Sequence, residues 1–108
     1  MSVGGPRVKL NSGYEIPLVG FGTYKVTGQE TVNIAVDAAL RAGYRHFDTA
    51  KLYNNETELG VALETYLPKY DLSRKDIFIT TKFFPPPENT TETVYQLFEE
   101  SLKNLRTE

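Results

Sequence analysis

In the stretch Ala42-Gly43-Tyr44-Arg45-His46-Phe47-Asp48-Thr49-Ala50, a helical pattern ends and the pattern of a short strand begins. Gly43 is typical of the residue that ends a helix. Residues 44–47 then form a short run that ends at Asp48 and is typical of a buried strand. The apolar residues before this stretch share one helical face, and they are Val32, Ala35, Val36, Ala39 and Leu40. The pattern predicts a helix that ends at Gly43 and a strand that follows it.

The same combination of strand and helix is predicted twice more. Strands are predicted at residues 18–21 and 77–81. Helix starts are predicted from pairs of capping residues, which are Thr27 with Glu30, Asn55 with Glu58, and Asn89 with Glu92. The second and third helices have apolar stripes of their own, which are Leu59, Ala62, Leu63, Tyr66 and Leu67 before Pro68, and Val94, Leu97, Phe98, Leu102 and Leu105. The order β-α-β-α-β-α predicts parallel strands joined by right-handed crossovers.

A β-hairpin is predicted ahead of these units. Residues 7–10 and 14–18 alternate around the turn Asn11-Ser12-Gly13, and Pro17 lacks a backbone N–H, which favours an edge or lid position. The predicted fold class is therefore α/β, with a β-hairpin followed by about three βα units. A (β/α)8 TIM barrel closes at eight units and about 250 residues. Residues 1–108 are expected to form the N-terminal part of such a barrel domain, which is then incomplete.

Composition excludes several classes of protein. Of the 108 residues, 40% are hydrophobic and 24% are charged, which is ordinary for a globular domain and unlike a disordered chain. The net charge of -2 gives no reason to expect a nucleic-acid partner. No run approaches the roughly 18 apolar residues of a membrane helix, and no signal-peptide core follows Met1, so no membrane partner is expected. The lack of cysteine fits a reducing compartment, and we expect a cytoplasmic location.

Three polar side chains are predicted to meet at the carboxyl-terminal edge of the strands. Asp48 ends the second strand, Tyr53 lies in the loop after it, and Lys82 ends the third strand. Loops that leave this edge of a parallel sheet gather on one face, where sites are commonly built. An ammonium group favours the phenolate of a neighbouring tyrosine, so Tyr53 is a candidate general acid towards a carbonyl oxygen. The alternative is a structural ion pair of Asp48 and Lys82 beside a tyrosine that only packs.

Two neighbouring features carry weaker signals. The segment Gly20-Phe21-Gly22 lacks the third glycine of a dinucleotide fingerprint and indicates only a backbone that another group can approach closely. His46 is the one histidine of the chain and is expected to be a hydrogen-bonded strand residue. Because there is no cysteine and no second histidine, no metal site is expected.

Several stretches together resemble the aldo-keto reductase family. They extend from Val8 onward and are Leu10-Asn11-Ser12-Gly13, Ile16-Pro17, Gly20-Phe21-Gly22-Thr23, the stretch 42–50 quoted above, Tyr53-Asn54-Asn55-Glu56 and Ile77-Phe78-Ile79-Thr80-Thr81-Lys82. The resemblance implies an NADPH-dependent reductase of aldehydes or ketones on a (β/α)8 barrel closed at the bottom by the hairpin. It also implies that Tyr53 is the proton donor, with Lys82 and Asp48 as its catalytic partners.

The resemblance further implies where the cofactor and a small carbonyl substrate bind. The residues implied for the nicotinamide end of NADPH are Gly20, Phe21, Gly22, Thr23, Tyr24 and Asp48. Those implied for the substrate are Tyr24, Tyr53 and Phe84. Many members of the family have tryptophan in place of Tyr24 and near Phe84, which leaves the shape of the substrate pocket open.

One member of the family's catalytic set is expected to be missing from these 108 residues. That member is a histidine on the strand after the third helix, and the sequence reaches Glu108 before such a strand. We therefore expect the 108 residues alone to be inactive. The alternative function is a truncated half-barrel that associates with itself or binds a partner, because three parallel strands without closure leave open edges.

Overall fold

A β-hairpin precedes three strand-and-helix units in the computed structural model, which describes residues 4–88 and 90–108. The hairpin strands β1 (Arg7–Lys9) and β2 (Glu15–Pro17) pair antiparallel and form a sheet of their own. Gly13 in the connecting turn has a φ of 93°, a left-handed conformation that glycine adopts without strain. The predicted hairpin is confirmed.

The other three strands form a parallel sheet in the order β3-β4-β5. Their bounds are Phe21–Gly22 for β3, His46–Asp48 for β4 and Phe78–Thr80 for β5. The helices that follow them in turn are α1 (Gln29–Ala42), α2 (Glu56–Tyr66) and α3 (Thr91–Asn104). Gly22 lies opposite Asp48, and Asp48 lies opposite Thr80, so the carboxyl ends of the strands are level. The predicted order of elements and the parallel strands are confirmed.

The first parallel strand lies further along the chain than predicted. The apolar pattern predicts residues 18–21, whereas β3 pairs only through Phe21 and Gly22, and Leu18 is exposed. The N–H of Leu18 donates to the carbonyl of Pro6 at 2.9 Å. This hydrogen bond extends the hairpin, and so it takes Leu18 away from the sheet.

The core lies between the sheet and helices α1 and α2. Phe47, at the centre of β4, is 0% exposed, and its ring centroid lies 6.2 Å from that of Phe21. The helix residues buried with it include Val32, Val36, Ala39 and Leu40 of α1 and Leu59, Ala62 and Leu63 of α2. Because side chains alternate along a strand, His46 and Asp48 point to the opposite face of the sheet. That second face is half-buried and leads to the candidate site.

Two helices begin differently from the capping predictions. α1 begins after Gly28, whose φ of 84° turns the chain into the helix, and no side chain caps its first turn. The predicted pair of Thr27 and Glu30 is therefore wrong, because the backbone turn at Gly28 moves the helix start by one residue. Asn55 does stand before α2, but its side chain makes no cap hydrogen bond. The pair of Asn55 and Glu58 is wrong as well, because the Asn55 carboxamide bonds elsewhere.

The third helix is capped by a different residue from the predicted one. Thr90 is its N-cap, and the hydroxyl of Thr90 accepts from the N–H of Thr93 at 3.1 Å. This pair stands where Asn89 and Glu92 were expected, and Asn89 lies outside the described residues. The helix therefore starts near its predicted position, but through a threonine pair.

α3 approaches α2 most closely at its C-terminal end. A Cβ atom added to Gly60 would lie 2.6 Å from the carbonyl oxygen of Asn104 and 2.9 Å from the Cα of Leu105, so the two backbones are in contact. Ser101 and Leu105 are buried there, whereas Phe98 is exposed. The predicted apolar stripe of α3 is fully covered only at this end.

Candidate functional site

Asp48 and Lys82 form an ion pair at the carboxyl ends of neighbouring strands. The Nζ of Lys82 lies 2.6 Å from the Oδ1 of Asp48. Two backbone bonds continue the pairing of β4 and β5 beyond the strand ends, because Thr49 N–H donates to Thr80 at 2.8 Å and Lys51 N–H donates to Lys82 at 2.8 Å. This continued pairing fixes the backbone on which Lys82 stands, and the predicted proximity of Asp48 and Lys82 is confirmed.

Tyr53 lies beside the same ammonium group. It ends a single 3-10 turn, Lys51–Tyr53, that begins three residues after the end of β4, and the chain leaves this turn through Asn54 with a φ of 56°. The Nζ of Lys82 is 5.4 Å from the centroid of the Tyr53 ring, within the range of a cation–π contact. The turn is also held from the side, because the Nζ of Lys51 lies 2.8 Å from a carboxylate oxygen of Glu100 in α3. The structure thus brings all three predicted catalytic residues together.

The ion pair acts on the charge of Lys82. The hydrogen bond to Asp48 raises the pKa of the Lys82 ammonium, and the negative charges of Asp48 and of an ionised Tyr53 raise it further. Desolvation opposes this effect. Lys82 therefore stays positively charged at neutral pH, where a cation can stabilise negative charge on a nearby phenolic oxygen.

Replacing Asp48 with asparagine is expected to lower the pKa of Lys82 towards its ordinary value of 10.5, because the hydrogen bond to the carboxylate is the largest cause of the increase. An ammonium whose pKa is raised by folding stabilises the folded chain fully below the unfolded value. It loses that contribution as the pH rises through the folded value. The ion pair's contribution to the stability of the folded chain is therefore lost at alkaline pH, as the pH rises above 10.5. Titration of the Lys82 side-chain NMR signals measures the change in its pKa.

A matched control is available at a second ion pair. Asp37 accepts from Lys69 at 3.0 Å and raises the pKa of that ammonium in the same way. Asp37→Asn should lower the pKa of Lys69 and leave that of Lys82 unchanged. A Lys82 pKa that does not move in Asp48→Asn would contradict the assignment of its main partner.

Tyr24 forms a second aromatic wall next to Tyr53. It lies in a tight turn in which Val26 N–H donates to the carbonyl of Thr23 at 3.0 Å, and Lys25 has a left-handed φ of 65°. The ring centroids of Tyr24 and Tyr53 are 5.2 Å apart with an interplanar angle of 52°. Tyr24 is nevertheless 64% exposed, which leaves its ring accessible to a ligand.

The third residue predicted to contact substrate is not part of this pair. Phe84 is 73% exposed, and within residues 4–88 and 90–108 its ring makes no contact with another aromatic ring. Phe84 follows Lys82 by two residues and so lies on the same edge of the sheet. Its role in substrate binding stays a prediction.

Within the segment 20–24, which is predicted to contact the cofactor, some positions have free space beside the backbone and others are already packed against this chain's own side chains. A Cβ added to Gly22 would meet no atom within 4 Å, so the backbone opposite Asp48 is open. A Cβ added to Gly20 would lie 3.1 Å from the ring of His46, so the close approach expected there is made by the chain itself. The ring of Phe21 packs edge-on against Tyr44 at 5.6 Å and leaves only its backbone for a ligand.

His46 is a hydrogen-bonded strand residue, as predicted. Its Nδ1 lies 3.1 Å from the carbonyl of Pro17 and its Nε2 lies 2.8 Å from the hydroxyl of Thr80. It therefore ties the hairpin to the parallel sheet. The described residues contain no group of three or more His, Cys, Asp or Glu side chains that could hold a metal ion.

A buried polar cluster beneath the aromatic pair was not predicted from the sequence. Its members are Thr23, Thr49 and Asn55, each almost fully buried. Thr49 donates its hydroxyl proton to the Oδ1 of Asn55 at 2.5 Å, and Asn55 donates to the carbonyl of Thr23 at 2.8 Å. The only local signal was the position of Asn55 before a helix, which favours a cap over a buried bridge.

A family model described as the aldo/keto reductase family matches residues 18–108. Human aldo-keto reductase family 1 member C1 is 40% identical over 102 residues, covering 92% of this chain and 31% of that protein. NADH-dependent D-xylose reductase of Candida parapsilosis is 44% identical over 79 residues, covering 73% of this chain and 24% of that protein. The chain therefore spans a third or less of these curated relatives.

Solved structures agree with these matches. The aldose reductase of Schistosoma japonicum superposes with a TM-score of 0.79 at 44% identity, covering 94% of this chain and 33% of that one. The aldo-keto reductase of Bombyx mori, solved in complex with NADP, gives a TM-score of 0.81 at 33% identity and covers 94% and 34%. These neighbours are (β/α)8 barrels, and the fold described above corresponds to part of such a barrel. Among the described residues, no helix is long and apolar enough to cross a membrane.

Proposed function

The chain belongs to the aldo/keto reductase family, and on that basis we propose that it forms the proton-donating part of an NADPH-dependent reductase of aldehydes and ketones. The observation that carries this proposal is the geometry around Lys82. Its ammonium is 2.6 Å from the Asp48 carboxylate and 5.4 Å from the Tyr53 ring centroid. A structural ion pair alone would not require a tyrosine ring beside it at the edge where parallel sheets build their sites.

In the proposed reaction, Tyr53 protonates the carbonyl oxygen of the substrate. The phenolic O–H of Tyr53 donates to that oxygen while negative charge develops on it, and the proton moves as the charge grows. Lys82 stabilises the phenolate that remains, and Asp48 keeps Lys82 charged and oriented. The exposed rings of Tyr24 and Phe84 supply apolar surface for a small carbonyl compound.

The residues at the end of β3 fit a cofactor with a flat ring. The backbone of Gly22 is open, and the Oδ2 of Asp48, on the level of Gly22, has no hydrogen-bond partner within the described part of the chain. A cofactor hydroxyl or amide can therefore donate to Asp48, while Gly22 and Tyr24 line its nicotinamide end. Gly20 and Phe21 contribute only backbone, and the buried Thr23 supports the segment through its hydrogen bonds to Asp48. NADPH, when bound, supplies the hydride that adds to the carbonyl carbon.

We assign the reaction to a complete barrel, since the relatives are about three times as long as this chain. The 108 residues by themselves are then expected to be inactive, and the cytoplasm is the proposed location. An alternative function, self-association or partner binding, is favoured by one observation. In the sheet as described, β5 pairs only with β4, which leaves its other edge open for pairing.

The test compares the chain with a chimaeric barrel. In the chimaera, residues 18–108 replace the matching segment of human aldo-keto reductase family 1 member C1. Both proteins are incubated with NADPH and a reactive aldehyde, and the loss of cofactor absorbance is followed. We expect turnover from the chimaera and none from the chain alone.

Each half of this expectation can fail separately. A folded chimaera that binds NADPH but does not reduce the aldehyde would contradict the proposed function. Turnover by the chain alone that is abolished in Tyr53→Phe would contradict the assignment to a complete barrel. Size-exclusion chromatography addresses the alternative, because a well-behaved monomer argues against self-association through the open edge.

A further inference from the structure

We propose that Asn55 is a positioning residue that sets the distance between the rings of Tyr24 and Tyr53. This inference rests on the proposed function, in which both rings face the substrate. Asn55 is 0% exposed and lies two residues after Tyr53, so it cannot itself touch a ligand in the cleft. It acts through the backbone of the turn that carries Tyr24.

The carboxamide of Asn55 binds both ends of that turn. Its Nδ2 donates to the carbonyl of Thr23 at 2.8 Å and to the carbonyl of Val26 at 2.9 Å. These two residues flank Tyr24, and the turn is closed between them by the 3.0 Å bond from Val26 N–H to Thr23. One side chain thus uses both of its N–H donors to hold the Tyr24 turn against the segment of Tyr53.

The acceptor side of the same carboxamide connects it to Asp48. Thr49, the residue after Asp48, donates its hydroxyl proton to the Oδ1 of Asn55 at 2.5 Å. Thr23 completes a closed ring of hydrogen bonds, because its N–H and its hydroxyl both donate to the carbonyl of Asp48, at 3.0 and 2.9 Å. The resulting ring of hydrogen bonds joins the backbone of Asp48 to the turn that carries Tyr24 and to Asn55, two residues after Tyr53.

The chemistry of this ring requires an amide at position 55. An aspartate of the same shape would place one carboxylate oxygen against both the carbonyl of Thr23 and that of Val26, where two N–H donors are needed. A buried donor or acceptor without a partner is unfavourable, so the turn is expected to move away from the α2 start. The helix is little affected, since the cap of α2 does not use this side chain.

The first test uses the 108-residue chain and NMR. In Asn55→Asp we expect loss of the nuclear Overhauser contact between the rings of Tyr24 and Tyr53. The amide hydrogen of Val26, whose bond to Thr23 closes the turn, should exchange with solvent at least tenfold faster. The exchange rate of the amide hydrogen of Val36, in the core, should change less than twofold. An unchanged contact and unchanged exchange at Val26 would overturn the proposal, as would equal acceleration at Val26 and Val36.

Further variants keep the test decisive if Asn55→Asp does not fold. Thr49→Val removes only the hydroxyl that orients the carboxamide, so exchange at Val26 should rise by a smaller factor, about threefold. Thr49→Ser should restore the original rate, because it restores the hydroxyl. Thr57→Ala, at an exposed position on the first turn of α2, is the matched control and should change neither reporter. If Thr49→Val leaves Val26 unaffected, the ring of hydrogen bonds does not position the turn.

The second test uses the chimaeric barrel with an aldehyde and NADPH. Thr49→Val is expected to displace the ring of Tyr24 and so to raise the KM for the aldehyde at least fivefold, while kcat changes less than twofold. A general loss of structure would lower kcat as well, and a kcat that falls with unchanged KM would overturn the positioning role. If the unmodified chimaera has no activity, the proposed function fails, whereas the NMR result still decides whether Asn55 positions the turn.

Discussion

Replacing Tyr53 with phenylalanine is expected to lower kcat of the chimaeric barrel by about 100- to 10,000-fold, the usual contribution of a positioned proton donor. The ring would keep its place 5.2 Å from Tyr24 and 5.4 Å from the Lys82 ammonium, because both distances are contacts of the ring, although the interaction of the hydroxyl with Lys82 is lost. The variant removes the hydroxyl and with it the proton that Tyr53 would transfer. Affinity for NADPH, measured by cofactor fluorescence, should stay within twofold.

Tyr95→Phe is the matched control, since Tyr95 lies within residues 18–108 and is exposed on α3. It should leave kcat unchanged. If Tyr53→Phe retains more than about a third of the turnover, another group supplies the proton and the role assigned to Tyr53 is wrong. If kcat falls together with NADPH affinity, the hydroxyl contributes to binding and the interpretation as a pure proton donor fails.

Phe47→Ala is expected to lower the free energy of unfolding by about 3–5 kcal/mol, the usual range for deleting a fully buried phenylalanine ring. Phe47 is 0% exposed and lies at the centre of the middle strand, between the sheet and the two helices that cover it. Since domains of this size are stable by only about 5–15 kcal/mol, the variant should be largely unfolded in moderate urea. Urea titration followed by circular dichroism measures the change.

Phe84→Ala applies the same substitution to a ring that is 73% exposed. Its effect on the free energy of unfolding should stay within about 0.5 kcal/mol, because surface substitutions rarely exceed that. Equal losses in the two variants would mean that Phe47 does not occupy the core.

The overall order of elements could be predicted because its signals are local. Gly43 ends α1 in the left-handed conformation expected of a terminal glycine. The position of β3 could not be predicted, because Leu18 and Val19 are as apolar as strand residues. Leu18 is exposed because its N–H donates to the carbonyl of Pro6, so that this part of the chain extends the hairpin and does not join the parallel sheet.

The candidate site was predictable to a similar extent and for a similar reason. The rule that parallel strand ends share an edge is enough to bring Asp48 and Lys82 together. The role of Asn55 was not predictable, since its partners Thr23 and Val26 lie about thirty positions earlier in the chain. An asparagine before a helix has an ordinary local explanation, and only the tertiary contact shows that its carboxamide bonds elsewhere.

The backbone contact at Gly60 limits how this chain can be stabilised by protein engineering. Exchanging a helical glycine for alanine is a standard route to greater thermostability, and it gains about 1 kcal/mol in helix propensity at an open position. At position 60 the added methyl group would meet the carbonyl oxygen of Asn104 at 2.6 Å. A library of thermostable variants should therefore keep this glycine, because the added methyl group would push the end of the third helix away from the second.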